Sequence, residues 1–207
     1  MTKLRFVKPA LNLSNNIAIV GSSGSICNKE WGSIIDQYDD VIRFNRAPVE
    51  NYETWIGKRT TLRVVNNHVF INHPAMKEFT NQPSNFVKNL RNNRILYMGP
   101  GLNQKHKEKH THASNDVFVF KFKNRGNLKQ VIKFEDVSDP SLGCMMIGLC
   151  VVVGIKPSLF GFDIEISDNT RSHYWEERPG VGPYHNANYE KQLISRLADN
   201  DKITVFK

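Results

Sequence analysis

The sequence has little cysteine, no long apolar run and no low-complexity tract. Its 207 residues include 3 cysteines, Cys27, Cys144 and Cys150, which cannot all pair and show no CxxC spacing. A disulfide-stapled scaffold and a zinc ribbon are thereby excluded, and buried reduced thiols are expected. The most apolar stretch, around Cys144–Ile155, is interrupted by Gly148 and Gly154. It falls short of the roughly 20 apolar residues that a transmembrane helix needs. Met1–Ser14 has basic residues but no apolar segment ahead of a small-residue cleavage site. No secretory leader is therefore expected.

What is present is a basic, core-forming chain. Lys+Arg number 28 against 20 Asp+Glu, a net charge of +8. Such an excess attracts nucleic acid, an anionic membrane surface or a phosphorylated substrate. The mild clusters at Lys105–His112 and Lys121–Arg125 are short and hold a single Phe, Tyr or Trp, Phe122, which falls short of the repeated aromatic–basic pattern of a base-stacking surface. No nucleic-acid partner is expected. The basic face is either solvated or in peripheral contact with an anionic membrane. Apolar residues make up 40%, enough for one real core, and a single domain over residues 1–207 is expected.

Hydrophobic periodicity alternates between strand and helix. "IAIV" at Ile17–Val20 reads as a buried strand, and "NKEWGSIIDQY" has helical spacing at Trp31, Ile34 and Ile35. "DDVIRFN" and "TTLRVVN" read as strands, with further ones near Ile95–Met98 and Val117–Phe122. "PSLGCMMIGLCVVVG" is apolar nearly all round, which predicts a buried helix ending at Gly154, and "PSLFGF" follows as a strand. "NANYEKQLISRLADN" is amphipathic, with Tyr189, Leu193, Ile194 and Leu197 on one stripe, before a closing strand in "KITVF". Strand–helix alternation predicts an α/β fold: a Rossmann-like, largely parallel sheet flanked by helices.

Two segments carry candidate chemistry. Gly21-Ser22-Ser23-Gly24 lies between a strand and a helical segment. It is either a plain turn or a phosphate-binding loop, because glycine permits close backbone approach. It is neither GxGxxG nor a P-loop. Near the other end, "HYWEERPGVGPYHNANYE" concentrates His173, Glu176, His185 and Glu190 in an irregular stretch. A core strand would not tolerate that density of titratable groups.

Together these segments resemble the sialylmotifs of the eukaryotic-type sialyltransferase family. "IAIVGSSGSI" with "DDVIRFNRAP" and "GKRTT" is similar to the large sialylmotif, through Arg43, Asn45, Ala47, Pro48, Gly57, Arg59, Thr60 and Thr61. "PSLGCMMIGLCVVVGIKPSLFGF" resembles the small motif, through Pro140, Ser141, Gly143, Gly161 and Phe162. "HYWE" at His173–Glu176 matches the third motif, and His185 with Glu190 matches the HxxxxE of the last.

The resemblance implies a nucleotide-binding domain of the GT-A variant type. It implies a metal-independent, inverting transferase with no cofactor. The partners would be a CMP-activated acidic sugar, sialic acid, and a glycan or glycolipid acceptor. Ser22, Ser23, Asn45, Ser141, Leu142, Gly143, Gly161 and Phe162 would bind the donor, and His173 would contact its phosphate. His185 would be the general base, kept neutral by the start of the helix that follows it. Glu190 would orient or cap, or simply complement its helix dipole. Tyr174 and Trp175 would wall the site or pack in the core. Asp163-Ile164-Glu165 looks superficially like a metal-binding DxD, which the family histidines make redundant.

Several departures bear on this reading. Ser22 stands where the family loop has Asn, and Leu142 where the small motif has Thr. CMP-linked Kdo or another ulosonic acid is therefore an alternative donor, and a non-catalytic CMP- or anion-binding module is an alternative of another class. Golgi members join the large and small motifs by a disulfide, whose positions correspond here to Ile17 and Gly154. That loss, and the absence of the usual anchor and stem, lead to the expectation of a cytoplasmic protein. The middle, Val65–Lys133, has no such resemblance.

Overall fold

The structure, a computed structural model, describes residues 11–66, 69, 94–99, 117–121, 128–130, 132–134, 140–162, 173–176 and 187–207. Seven strands form one sheet: β1 Ile17–Val20, β2 Asp40–Phe44, β3 Leu62–Asn66, β4 Arg94–Gly99, β5 Val117–Lys121, β6 Ser158–Phe160 and β7 Thr204–Phe206. Their order is β5-β4-β3-β2-β1-β6-β7, and every pairing is parallel. The predicted strands are all present, the one after Val117 ending at Lys121. A parallel sheet is covered on both faces, and the strands show it. Every residue of β1 and β2 is buried.

Alternate residues therefore serve two cores. Ile17, Ile19, Ile42, Phe44, Leu62 and Val64 face α3, Leu142–Val152, and α4, Ala187–Asp199. Ala18, Val20, Val41 and Phe160 face the other way. They meet Ile26 of a 3-10 helix at Gly24–Asn28, Ile35 of α1 at Gly32–Ile35, Ile56 of α2 at Glu53–Ile56, and Tyr174. The helical spacing at Trp31–Ile35 yields only one turn: Ile35 is buried, but Ile34 is exposed.

Helix α3 is buried from Gly143 to Cys150, as its all-round apolarity requires. It stops at Gly154, whose φ of 80° is left-handed. The Ile155 N–H donates to Cys150 O at 2.9 Å, and the Gly154 N–H to Val151 O at 3.1 Å. These two bonds close the helix end in the manner glycine favours. Helix α4 buries Leu193, Ile194 and Leu197. Tyr189, expected on that stripe, is exposed and leans towards Phe134, with ring centroids 6.1 Å apart. No helix of the described residues is long and apolar enough to cross a membrane.

The amino ends of the strands are tied by one buried carboxylate. Asp40 accepts from the Ser14 N–H at 2.8 Å, from the Thr61 hydroxyl at 2.7 Å and from Arg94. Arg94 in turn donates to the carbonyls of Thr61, Asn12 and Leu11. The segment before β1 is thus joined to the starts of β2, β3 and β4. The opposite, carboxyl ends are left for the loops.

The thiols make a direct check of this packing. Cys144 and Cys150 are buried in α3, and Cys27 is half-buried. Burial pushes the Cys150 thiol up to about 12 and that of Cys144 well above its ordinary value, so neither forms thiolate near neutrality. Thiol titration of the native, unreduced protein at pH 8 should modify Cys27 ahead of the other two. After denaturation it should count three groups. A denatured count below two would mean that a disulfide forms.

Candidate active site

Strands β1 to β5 progress to one side of the sheet, and β6 and β7 lie on the other side of β1. The chain therefore changes direction between β1 and β6. In open parallel sheets the crevice outside the carboxyl ends at such a switch is where ligands bind. The loops leaving β1 and β6 here are Gly21–Gly24 and Gly161–Phe162.

These loops touch through backbone. The Gly21 N–H donates to Phe160 O at 2.7 Å, and the Ser23 N–H to Gly161 O at 3.4 Å. A Cβ on Gly21 would overlap the Gly161 carbonyl, so only glycine fits. Gly161 takes a left-handed φ of 68°, turning the chain over Ile26. The next side chain, Phe162, lies against two glycines. A Cβ on Gly21 would stand 3.0 Å from its ring, and one on Gly143 2.8 Å. Its other neighbour is Phe44, edge-on at 6.4 Å. Ser22, Ser23, Gly143, Gly161 and Phe162 are therefore brought together.

The "HYWE" segment joins them. The Tyr174 N–H donates to Ser22 O at 2.9 Å, and the Tyr174 hydroxyl donates to Pro48 O. The Tyr174 ring is buried edge-on to Tyr52, 4.9 Å away. Of the two fates expected for this aromatic pair, Tyr174 takes the core. Trp175 stands edge-on to Tyr174 and stacks on His173, with centroids 4.6 Å apart and planes 28° from parallel. His173 Nδ1 lies 2.9 Å from Glu176 Oε2, in a turn closed by the Glu176 N–H to His173 O bond of 3.1 Å. A carboxylate only accepts, so Nδ1 carries a hydrogen, and Nε2 is the nitrogen left for a ligand.

Asn45 lies just past β2, the strand next to β1. Its φ is 43°, a left-handed conformation that asparagine tolerates. Beneath it Arg43 and Arg63 face each other across β2 and β3. Each is only 1% exposed. Arg43 donates to Ile56 O at 2.6 Å, to Gly57 O and Arg59 O at 3.0 Å, and to the Thr60 hydroxyl at 3.1 Å. Arg63 Nη1 donates to Asn45 O at 3.0 Å and Ala47 O at 3.1 Å. Among the described residues no carboxylate pairs with either guanidinium. Burial lowers both to about 10, which leaves them charged at neutral pH. Burial also pushes the Tyr174 phenol up, partly offset by these two cations.

Ser141 is engaged differently from expectation. It caps α3, its hydroxyl accepting from the Cys144 N–H at 3.2 Å. Its own N–H donates to Glu190 Oε1 at 2.6 Å, and its hydroxyl to Glu190 Oε2 at 2.8 Å. Expected at the donor, Ser141 here gives both its N–H and its hydroxyl hydrogen to a carboxylate. Glu190 does more than complement its own helix dipole: it joins α4 to the cap of α3. Leu142 opens α3 and packs against the core. His185 and the Asp163-Ile164-Glu165 run lie outside the described residues.

The sequence reading missed Arg63 and the partners of Ser141. A signal for Arg63 existed, since a charge between Leu62 and Val64 in a central strand must be buried and bonded. The Ser141–Glu190 pair spans 49 positions and leaves no local pattern.

Comparison with known proteins places this arrangement. The family described as Glycosyltransferase family 29 (sialyltransferase) matches residues 9–202. The Beta-galactoside alpha-2,6-sialyltransferase 2 of Xenopus tropicalis is 28% identical over 202 residues, covering 87% of this chain and 38% of the relative. The CMP-N-acetylneuraminate-beta-galactosamide-alpha-2,3-sialyltransferase 1 of Sus scrofa is 24% identical over 204 residues, covering 92% of this chain and 57% of the relative. The chain thus spans 38% and 57% of these relatives' lengths. A mammalian sialyltransferase crystal structure superposes with a TM-score of 0.67 at 20% identity, over 92% of this chain and 68% of that one. The Campylobacter jejuni sialyltransferase CstII, solved with the substrate analogue CMP-3FNeuAc, gives 0.56 at 17% identity, over 92% and 80%. These likenesses are of fold.

The Glu190 clamp has a measurable energy. Glu190→Ala would leave two half-buried Ser141 donors without their acceptor, a loss of about 1–3 kcal/mol. Urea unfolding should show it as a lowered midpoint, with Glu190→Gln losing less because one acceptor remains. An unchanged midpoint in Glu190→Ala would mean that the clamp does not hold in solution.

Proposed function

Because the chain belongs to glycosyltransferase family 29, the sialyltransferases, we propose that it transfers sialic acid from its CMP ester to a hydroxyl of an acceptor sugar on a glycan or glycolipid. The observation that carries this is the meeting of three motif segments at the β1–β6 switch. Tyr174 of "HYWE" bonds to Ser22 of the glycine loop, and Phe162 lies against Gly21 and Gly143.

The donor's phosphate lies over the loop at Ser22 and Ser23, where glycine allows close approach. The cytidine part lies beside Gly161 and Phe162, with Asn45 as a further contact. With Nδ1–H on Glu176, His173 acts as the imidazolium: its Nε2–H donates to the phosphate and stabilises the charge that grows on it as the glycosidic C–O bond breaks. The acceptor oxygen attacks the anomeric carbon from the opposite face, so the configuration inverts. Its proton goes to His185, and CMP leaves. A cation at the phosphate is then unnecessary. Ser22 and Leu142 depart from the family pattern, which supports a second donor reading, CMP-Kdo or a related CMP-ulosonic acid. A reducing compartment accords with the thiols and with Gly154, whose left-handed φ serves a helix end.

The test is CMP release from CMP-N-acetylneuraminic acid, with β-galactosides as acceptors and CMP-Kdo as the second donor. Release should require acceptor and should be unchanged in excess EDTA. His173→Ala should weaken donor binding and slow turnover. His185→Ala should lower transfer by ~10²–10⁴-fold, the usual worth of a general base, with CMP affinity little changed. No acceptor-dependent release from either donor would sink the proposal. A tenfold loss of CMP affinity in EDTA, about 1.4 kcal/mol, would restore a metal at Asp163 and Glu165.

A further inference from the structure

Arg63 raises a question that packing does not answer. A buried, uncompensated guanidinium is expensive, and an apolar residue of similar volume is often as stable or more so. Among the described residues its hydrogen bonds run to two groups, the carbonyls of Asn45 and Ala47. Both belong to the loop that leaves β2 beside the crevice.

The rest of Asn45 is held as well. Its N–H donates to Val64 O at 2.8 Å, and its side-chain Oδ1 accepts from the Asn66 N–H at 3.1 Å. With the Arg63 bond, its amide hydrogen, its carbonyl and its side-chain oxygen are all committed to β3. Two of these partners are backbone groups of β3, and the third is the Arg63 side chain. The Asn45 Nδ2 has no hydrogen-bond partner among the described residues, and Asn45 is half-buried. The left-handed φ of 43° is the conformation in which all three restraints act at once. Tyr174 adds a fourth tie three residues on, at Pro48 O.

We propose that Arg63 is a positioning residue for donor binding: by holding the Asn45 and Ala47 carbonyls from beneath, it fixes Asn45 in its left-handed conformation with the Nδ2 hydrogens presented to the nucleotide. This rests on the reading of Asn45 as a nucleotide contact. Arg63 itself touches no ligand. Its guanidinium suits the role because the two hydrogens of one nitrogen, Nη1, lie in fixed directions towards the two carbonyls, whereas a lysine ammonium turns freely on a flexible stem.

The test is a double-mutant cycle read by CMP-binding calorimetry on the full chain, with melting temperature recorded for each variant. Asn45→Gly removes the amide without strain, since glycine accepts a positive φ. It should weaken CMP binding by about tenfold or more, the scale of one hydrogen bond to a charged group. Arg63→Met and Arg63→Lys should weaken it comparably, Lys less than Met. In the Asn45→Gly background the Arg63 substitutions should add nothing. A merely structural Arg63 would lower the melting temperature of the variants and leave CMP affinity at the wild-type value; that result overturns the proposal. Additive losses also overturn it, because Arg63 would then act through something other than Asn45. If Asn45→Gly binds CMP like wild type, the reading of Asn45 fails, and the proposal with it. If neither Arg63 variant folds, the wild-type protein decides. The Asn45 side-chain amide protons should give two distinct, slowly exchanging resonances that shift with CMP. A rapidly exchanging pair indifferent to CMP would overturn the proposal.

Discussion

At the carboxyl ends of β1 and β6 two backbones run so close that no side chain fits between them. Gly21 donates to Phe160 and lies under the Gly161 carbonyl, and Gly161 turns away in a conformation that side chains resist. The approach follows from parallel pairing of Ala18, Ile19 and Val20 with Ser158, Leu159 and Phe160. Once those strands are in register, their loops must leave side by side. Phe162 then fills the space between Gly21 and Gly143, and the start of α3 is set against the β1 loop. The HYWE turn docks on the same loop through Ser22. A substitution at Gly21 would therefore disturb three segments remote in sequence.

Around this contact the molecule holds two sets of buried charge. At the amino ends of the strands Asp40 and Arg94 form an ion pair with its oxygens and nitrogens shared among neighbouring segments. Arg43, next to last in β2, and Arg63, second in β3, are buried with no paired carboxylate among the described residues and bond mainly to backbone carbonyls. The first arrangement neutralises charge and holds the sheet together. The second leaves positive charge inside the fold, with Arg63 held against the Asn45–Ala47 loop and Arg43 against the segment that enters β3. Low dielectric makes such charges felt over longer distances than at the surface.

Much of this was legible in the sequence because it is local. The short, near-continuous apolar runs of "IAIV", "DVIRF" and "LRVVN" mark strands buried on both faces, and the all-round apolarity of Leu142–Val152 marks a buried helix. Gly154 marks that helix's end through its own backbone preference. What could not be read is set by partners far along the chain. Tyr189 falls on the apolar stripe by spacing, yet it is exposed, because the first turn of α4 extends past the core that covers Leu193 and Ile194. Glu190 reads as a first-turn acid until Ser141 is placed beside it. The resemblance singled out Arg43 and Asn45 as motif residues without showing that one organises the GKRTT loop and the other is pinned by β3. The residues Ser22, Ser23, Gly143, Gly161 and Phe162 lie together at the ends of β1 and β6, a placement set by strand pairing, while His185 lies outside the described residues.

The central claim is that the β1–β6 crevice holds the nucleotide of the donor. A crystal structure of the chain with CMP tests it most directly. The account predicts the phosphate over Ser22 and Ser23 within hydrogen-bond reach of His173 Nε2, and the cytidine beside Phe162 and Asn45. CMP bound elsewhere, such as at the β4–β5 edge or on the Trp31–Phe206 face, with this crevice empty, would contradict it.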